Sequence, residues 1–350
     1  MQFHLVGGTG LPIVDAHHHL FDDADDRLAE LWGRRSLLAT DYADLLGGHP
    51  DVVATVVVEG HTRYRTSGPE HLRPVGETEF LAGQADGRIA AAIVGAADLR
   101  RGTAVREVLE AHLTAAPGRF RGIRQAALWD EDPAVLGGLF RFPPHLYADS
   151  AFRAGFAELE PLGLSFDAFV LAPQLDDVVD LARAFPGTRI VLDHLGNPVG
   201  IGRHAGRTAA EFPAWRASMA ELARCPSVAV KMSGLGTFLS GSPSYRADPP
   251  VRAEVLASEW RPWVEETIEL FGADRVLFGS NLPTDAVGSF TTICTAYQRI
   301  TAGCSDPERR ALFSGTAAAV YGLDLDLVEP AEPACGPHPG RAKGSWRSCS

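Results

Sequence analysis

The sequence predicts a single (β/α)8 TIM barrel, and three features favour this fold. Eight short apolar segments alternate with segments of helical character, and eight parallel strands close such a barrel. The apolar segments are nearly continuous, as expected of strands covered on both faces. Polar residues gather where these segments end. An open doubly wound sheet is the alternative, but no Gly-x-Gly-x-x-Gly follows the first strand. The predicted strands cover residues 11–17, 51–59, 89–94, 120–125, 164–171, 188–194, 228–233 and 275–280.

The segments between the strands predict helices and set the domain boundaries. Thr103 is a suitable N-cap for one helix, and Pro117-Gly118 ends it. We assign residues 1–10 to an N-terminal arm and residues 11–328 to the barrel. Residues 329–350 are rich in proline, glycine and basic residues, which predicts a disordered C-terminal tail. The predicted helices cover residues 24–32, 77–85, 103–116, 150–161, 173–185, 208–224, 254–271 and 289–321.

Composition excludes several functional classes. The 350-residue chain carries a formal net charge of −12 at pH 7, which argues against a nucleic-acid-binding surface. No apolar run approaches a membrane span, and no signal-peptide pattern is present. The 5 cysteines lack a Cys-x-x-Cys spacing, as in proteins with reduced thiols. We therefore expect a cytoplasmic protein with a small-molecule substrate and neither nucleic-acid nor membrane partners. A homodimer is compatible with the sequence.

Three consecutive histidines end the first predicted strand. Alternation along a strand places Asp15, His17 and His19 on one face, and Ala16 and His18 on the other. Two imidazoles two residues apart can hold one metal ion or polarise one carbonyl. The alternative interpretations are a purification tag or a core histidine whose hydrogen bonds are made within the protein. The run is internal and buried polar groups need partners, so we favour a functional site.

Charged side chains lie at the ends of other strands, where the active sites of such barrels are built. Glu59 ends the second strand. Arg124 lies on the fourth strand, where an unpaired cation would be costly, so we expect a carboxylate partner or an anionic substrate. Lys231 on the seventh strand is either the ion-pair partner of Glu59 inside the barrel or a ligand contact. Arg63 and Arg65 are either substrate contacts or solvated loop residues.

The sixth predicted strand ends in Asp193-His194. His194 is in phase with Ile190 and Leu192, which predicts that it faces the barrel interior. Asp193 is then expected to face the outer helices and to have a structural role.

Three motifs in chain order resemble the amidohydrolase-2 family, over about residues 11–325. The resemblance implies a barrel of the amidohydrolase superfamily, which includes sugar lactonases, pyrone-dicarboxylate lactonase and non-oxidative decarboxylases. The segment 68–77 is most similar to the lactonase-like branch. The motifs are Val14-Asp15-Ala16-His17-His18-His19, Val191-Leu192-Asp193-His194-Leu195-Gly196-Asn197-Pro198 and Leu277-Phe278-Gly279-Ser280-Asn281-Leu282-Pro283.

The resemblance implies roles for specific residues. It makes His17 and His19 metal ligands, or substrate contacts in members that work without a metal. It makes His194 a polarising or proton-transferring group. The family's water-activating aspartate falls at Asn281, and its frequent third histidine ligand on strand five falls at Ala172.

These two departures affect the expected chemistry. An amide does not act as a base near neutral pH; it can only orient water. A catalytic zinc usually has three protein ligands. We therefore expect either one divalent metal ion, zinc or manganese, that recruits Glu59 or Asp285, or catalysis without a metal.

The sequence thus predicts a hydrolase that opens a lactone or related cyclic ester of a carboxylate-bearing small molecule. The expected catalytic residues are His194, Asn281, Asp285 and Glu59, with Asp285 or Glu59 as the general base. The expected substrate-binding residues are Arg124, Lys231, Arg63 and Arg65. Two alternatives stay open: a lyase-type decarboxylation, elimination or cyclisation, and a ligand-binding barrel without catalysis.

Overall fold

Eight parallel strands form the centre of the molecule. The computed structural model describes residues 3–4, 10–47, 49, 51–136 and 142–326. Each strand pairs with the next in chain order, and a parallel bridge between His18 and Leu282 joins the last strand region to the first. The predicted (β/α)8 TIM barrel is confirmed. The strands are β1 (Ile13–His18), β2 (Val52–Val58), β3 (Ala92–Ala96), β4 (Phe120–Ala126), β5 (Ser165–Phe169), β6 (Ile190–Leu192), β7 (Val228–Met232) and β8 (Val276–Phe278).

Helices cover the outside of the barrel. They are α1 (Asp26–Trp32), α2 (Ala39–Leu45), α3 (Val75–Gln84), α4 (Arg106–Ala115), α5 (Pro133–Leu136), α6 (Ser150–Phe156), α7 (Leu175–Ala184), α8 (Thr208–Ala223), α9 (Ala253–Phe271), α10 (Phe290–Ile300), α11 (Asp306–Arg310) and α12 (Thr316–Tyr321). Within the described ranges, no helix is long and apolar enough to cross a membrane.

Two apolar layers follow from strand alternation. Along β2, Val56 and Val58 belong to the cluster inside the barrel, and Val57 belongs to the larger cluster between barrel and helices. The inner cluster includes Tyr321 of α12, whose hydroxyl reaches Asp167 inside the barrel. Apolar side chains therefore fill the lower barrel and leave the polar groups to its upper end.

The predicted orientation of the β1 side chains is wrong at Asp15 and Ala16. Ala16 belongs to the inner cluster, and Asp15 accepts a hydrogen bond from Tyr42 of α2, outside the barrel. The pairing of β1 with β2 shifts between Asp15 and His18. This irregularity inserts an extra residue, so strict alternation fails and His17 faces inward although Asp15 does not.

Some predicted boundaries also differ from the structure. The sixth strand stops at Leu192 because the backbone turns left-handed at His194 and Leu195, with φ of 57° and 54°. Part of the predicted N-terminal arm, Phe3–His4, pairs in parallel with Leu325–Asp326. The predicted disordered tail, residues 329–350, lies outside the described residues.

The loop at residues 234–250 contains a 3-10 turn at Phe238–Ser240. It is joined to the preceding loop by a hydrogen bond from the Gly200 N–H to the Leu239 carbonyl, 2.8 Å long. The segment therefore forms part of the wall at the upper end of the barrel.

Candidate active site

A cavity opens at the carboxyl ends of the strands. This is the end at which (β/α)8 barrels carry their active sites. Side chains from strand ends and from the loops after them line it. They are His19, Leu28, Leu31, Trp32, Glu59, His61, Arg124, Ala126, Phe169, His194, Asn197, Thr237, Phe238, Leu239, Asn281 and Thr284.

A buried cluster of charges lies at the centre of the barrel. Lys231 Nζ lies 2.5 Å from Asp167 Oδ2 and 3.1 Å from Asp193 Oδ1, and it is 3.1 Å from His17 Nδ1. The side chains of Lys231 and both aspartates have 0% exposure. Buried charges need such pairing to offset their lost hydration. Of the two alternatives for Lys231, the ion pair with Glu59 is wrong; its ion-pair partners are Asp167 and Asp193.

The prediction that Asp193 faces the outer helices is also wrong. Val191 belongs to the inner apolar cluster and Leu192 to the outer one, so strand phase brings Asp193 inward. His194 reaches the interior by a different route, because its left-handed backbone ends the strand. Both side chains therefore face the barrel interior, and Asp193 is part of the site.

Three side chains form a candidate metal centre. His17, Asp193 and His194 each offer one ligand atom, and these atoms lie within 4.8 Å of one another. His17 Nε2 is buried and has no hydrogen-bond partner among the described residues. Burial lowers the pKa of His194 to about 3 and that of His17 well below its ordinary value. Both rings are therefore neutral near pH 7, which is the form that binds metals.

These three residues fit one divalent ion, with a set that differs from the expected His17–His19 pair. The His19 ring centroid lies 5.1 Å from that of His17, and its Nδ1 lies 3.0 Å from the Val58 carbonyl oxygen. His194 Nδ1 lies 2.8 Å from Ser233 Oγ, which fixes the orientation of the ring.

Glu59 and Arg124 form an ion pair at the cavity wall. Arg124 Nε donates to Glu59 Oε1 over 2.7 Å, and its terminal NH2 donates to the Glu59 carbonyl over 2.8 Å. Arg124 thus has the carboxylate partner that the sequence predicted. Burial raises the pKa of Glu59, but the charge of Arg124, with further help from His61, outweighs burial and lowers it overall. Glu59 is therefore ionised at neutral pH.

Asn281 and Asp285 form a second pair, at the end of β8. Asn281 Nδ2 donates to Asp285 Oδ1 over 2.7 Å, and the Gly236 N–H donates to Oδ2 over 3.2 Å. Burial raises the pKa of Asp285 to about 7, against these two hydrogen bonds. Asn281 Oδ1 is buried and has no partner within the described part of the chain. An acid that titrates near neutrality therefore lies directly behind an unsatisfied amide at the cavity.

Arg63 and Arg65 are not among the residues that line the cavity. Arg63 pairs with Asp22, and Arg65 pairs with Glu79. Both pairs are at least partly exposed, where ion pairs contribute little stability. The structure therefore places these two arginines apart from the other expected site residues.

Sequence reasoning missed Asp167 and Trp32. Asp167 lies on an otherwise apolar strand, and a buried acid in such a strand was a usable signal for an interior ion pair. Trp32 ends α1 and lines the cavity, and nothing in its sequence surroundings distinguishes it from a core tryptophan.

A (β/α)8 barrel with histidines and carboxylates buried at its carboxyl end has the architecture of a barrel enzyme. The chain belongs to the amidohydrolase family, whose sequence pattern matches residues 14–323. It is 37% identical to the uncharacterized protein y4mH of Sinorhizobium fredii, over 73% of this chain and 77% of that protein.

Two further relatives are similar over most of their length. An L-fucono-1,5-lactonase of Burkholderia ambifaria is 29% identical, over 89% of this chain and 96% of that enzyme. The crystal structure of a Burkholderia multivorans amidohydrolase with bound zinc has a TM-score of 0.69 and 27% identity, covering 89% of this chain and 99% of that one.

Proposed function

We propose that this protein hydrolyses a lactone or related cyclic ester of a small molecule at the cavity above β1, β6 and β8. The observation that carries the proposal is the Asn281–Asp285 pair, because it combines an unsatisfied oxygen at the cavity with a carboxyl of pKa about 7. A general base works best when its pKa is near the operating pH. The similarity to L-fucono-1,5-lactonases supports a cyclic ester as the substrate class.

Asp285 is the proposed proton acceptor. Asn281 Oδ1 accepts a hydrogen bond from the attacking water, and the carboxylate of Asp285 beside it takes the proton. The water oxygen adds to the lactone carbonyl, the ring C–O bond breaks, and the proton passes to the departing alkoxide. Glu59 is less suited to this role, since the charge of Arg124 holds its pKa low.

His17, Asp193 and His194 would hold a divalent ion such as zinc or manganese. Such an ion polarises a carbonyl oxygen and lowers the pKa of a bound water. His19 and His194 line the cavity, so an ester bound there would lie beside the residues that would hold the ion. Lys231 lies below them and balances the charge of Asp193.

The proposed substrate needs no carboxylate, because the buried cations of the site already pair with carboxylates of the protein. Arg124 already pairs with Glu59 and lies 3.7 Å from Asp193 Oδ2, and Lys231 pairs with Asp167 and Asp193. A second anion would have to compete with these buried carboxylates. The cations expected to bind a substrate carboxylate are therefore neutralised within the protein.

The proposal is tested by following acid release from a panel of γ- and δ-lactones at constant pH. We expect turnover by the wild-type protein and a loss of about 10²- to 10⁴-fold in kcat/KM for Asp285→Asn. Exposed Val255→Ala serves as a matched control and should keep full activity. Wild-type activity that survives unchanged in Asp285→Asn would remove Asp285 from the mechanism. Failure to open any lactone would contradict the proposed reaction.

A further inference from the structure

The cavity has two chemically different halves. The inner half carries His19, His194 and Asn281, whose nitrogen and oxygen atoms suit a reacting ester group. The outer half is apolar and is formed by α1, by the end of β5 and by the loop after β7. Its side chains are Leu28, Leu31, Trp32, Phe169, Phe238 and Leu239.

The outer half lies at the mouth and stays partly exposed. Leu28, Leu31 and Phe238 are each half-buried, so their apolar surface is in contact with water. Covering such surface with an apolar group is favourable in proportion to the apolar area removed from water. A substrate with an apolar part there gains binding energy that a bare ring cannot gain.

The aromatic wall is held in place before any ligand binds. The Trp32 ring stacks on Phe21 with centroids 4.0 Å apart, and its Nε1 donates to Thr284 Oγ1 over 3.1 Å. The indole also stacks with the His19 ring, with centroids 5.8 Å apart, so it is fixed beside the inner half with its single donor already used. A rigid flat wall of this kind suits a flat apolar group.

Two polar side chains beside this half use their donors within the protein, while Asn197 Oδ1 has no partner among the described residues. Thr237 Oγ1 donates to the Gly234 carbonyl over 3.2 Å, and Asn197 Nδ2 donates to the Val170 carbonyl over 2.8 Å. A hydroxyl group placed against the apolar side chains would lose its hydrogen bonds to water without replacement there. A polyhydroxylated sugar lactone therefore gains less from the outer half than an apolar group does.

We infer that the substrate is a lactone with an aryl or similarly flat apolar substituent, which lies between α1 and the Phe238–Leu239 segment while the ester faces His194 and Asn281. This inference rests on the proposed lactone hydrolysis and specifies its substrate class. The lactonase relatives are named for a sugar lactone, L-fucono-1,5-lactone. The substrate inferred for this chain belongs to a different class.

The test compares three δ-lactones: unsubstituted δ-valerolactone, its phenyl-substituted derivative and D-gluconolactone. We expect kcat/KM for the phenyl derivative to exceed that for the bare ring by about 10- to 100-fold, as burial of one aromatic side group implies. D-gluconolactone should be the poorest substrate. Leu31→Asn and Phe238→Thr should each reduce the preference for the phenyl derivative by at least about fivefold, while Val255→Ala should leave it unchanged.

Binding measurements test the inferred substrate class independently of the proposed reaction. Dissociation constants for the same lactones are measured by calorimetry with Asp285→Asn, which is expected to bind without turnover. Tighter binding of the phenyl derivative supports the inference even if no lactone is hydrolysed, and only the proposed reaction then fails. Equal or tighter binding of D-gluconolactone, or no binding of the phenyl derivative, overturns the inference and leaves the proposed hydrolysis intact where turnover is seen.

Discussion

Lys231 Nζ lies between Asp167 and Asp193, 2.5 Å from an oxygen of the first and 3.1 Å from an oxygen of the second. Asp167 is on β5, Asp193 follows β6 and Lys231 is on β7, so one ammonium group joins three consecutive strand regions. Tyr321 of α12 donates to Asp167 from below. The charge cluster therefore connects the packed floor of the barrel to the candidate metal centre.

Removing Lys231 should destabilise the protein severely. Lys231→Met leaves two buried carboxyl groups without their cation, and breaking a buried ion pair in this way costs about 3–5 kcal/mol. Urea unfolding curves measure the loss. The double variant Lys231→Met/Asp167→Asn should recover part of it, because the added substitution removes one uncompensated charge. A single variant as stable as the wild type would contradict the role given to this cluster.

The pH dependence of catalysis should report Asp285. With the carboxyl pKa at about 7, kcat/KM should rise as the pH passes through about 7 and level off above it. Asp285→Asn should remove this rise of kcat/KM with pH, together with most of the activity. If Glu59 were the base, its lowered pKa would move the rise of kcat/KM into the acid range. Activity would then be constant across neutral pH. The pH profile of the wild-type enzyme therefore separates the two carboxylates.

Glu77 should make stability depend on pH. Burial, with repulsion from Glu59, raises its pKa from 4.5 to about 8, so the folded state binds this proton more tightly than the unfolded state does. The stability it contributes is complete below pH 4.5 and is lost as the pH rises through about 8, by up to about 1.4 kcal/mol for each pH unit.

Glu77→Gln tests this directly. The amide keeps the oxygen that accepts from the Gly60 and Thr62 N–H groups, and it carries no charge. We expect similar melting temperatures for variant and wild type near pH 5, and a more stable variant at pH 9. Glu79→Gln on the same helix is the control, because Glu79 is exposed and paired with Arg65. Parallel stability curves for Glu77→Gln and wild type would contradict the assignment.

Gly234 should be required for the orientation of His194. Its φ is +71°, and an added Cβ would lie 2.3 Å from His194 Cγ, far inside normal contact distance. Gly234→Ala should therefore displace the ring, weaken zinc binding and lower kcat/KM by at least about tenfold. Gly83→Ala, where a Cβ meets nothing within 4 Å, should leave both quantities unchanged. Zinc titration of the two variants gives the comparison.

The sequence predicted the barrel because eight apolar segments and their spacing carry that information directly. It placed His17, His19, His194, Glu59, Arg124 and Asn281 near one another because parallel strands end at a common edge. It failed at Asp15, where a shift in the β1 pairing breaks the two-residue alternation. It failed at Asp193 because the left-handed backbone at His194 turns the His194 side chain inward out of phase with Ile190 and Leu192. It also failed to pair Lys231 with Asp167, because the ion-pair partner depends on the relative heights of side chains on different strands.

Hydrolysis in water enriched in oxygen-18 tests the central claim most directly. The wild-type protein is incubated with the phenyl-substituted δ-lactone, and the ring-opened acid is examined by mass spectrometry against an uncatalysed control. Attack of water on the carbonyl should place one labelled oxygen in the product carboxylate, with no loss of carbon dioxide. A product without label, or one that has lost carbon dioxide, would contradict lactone hydrolysis and favour lyase chemistry on this barrel.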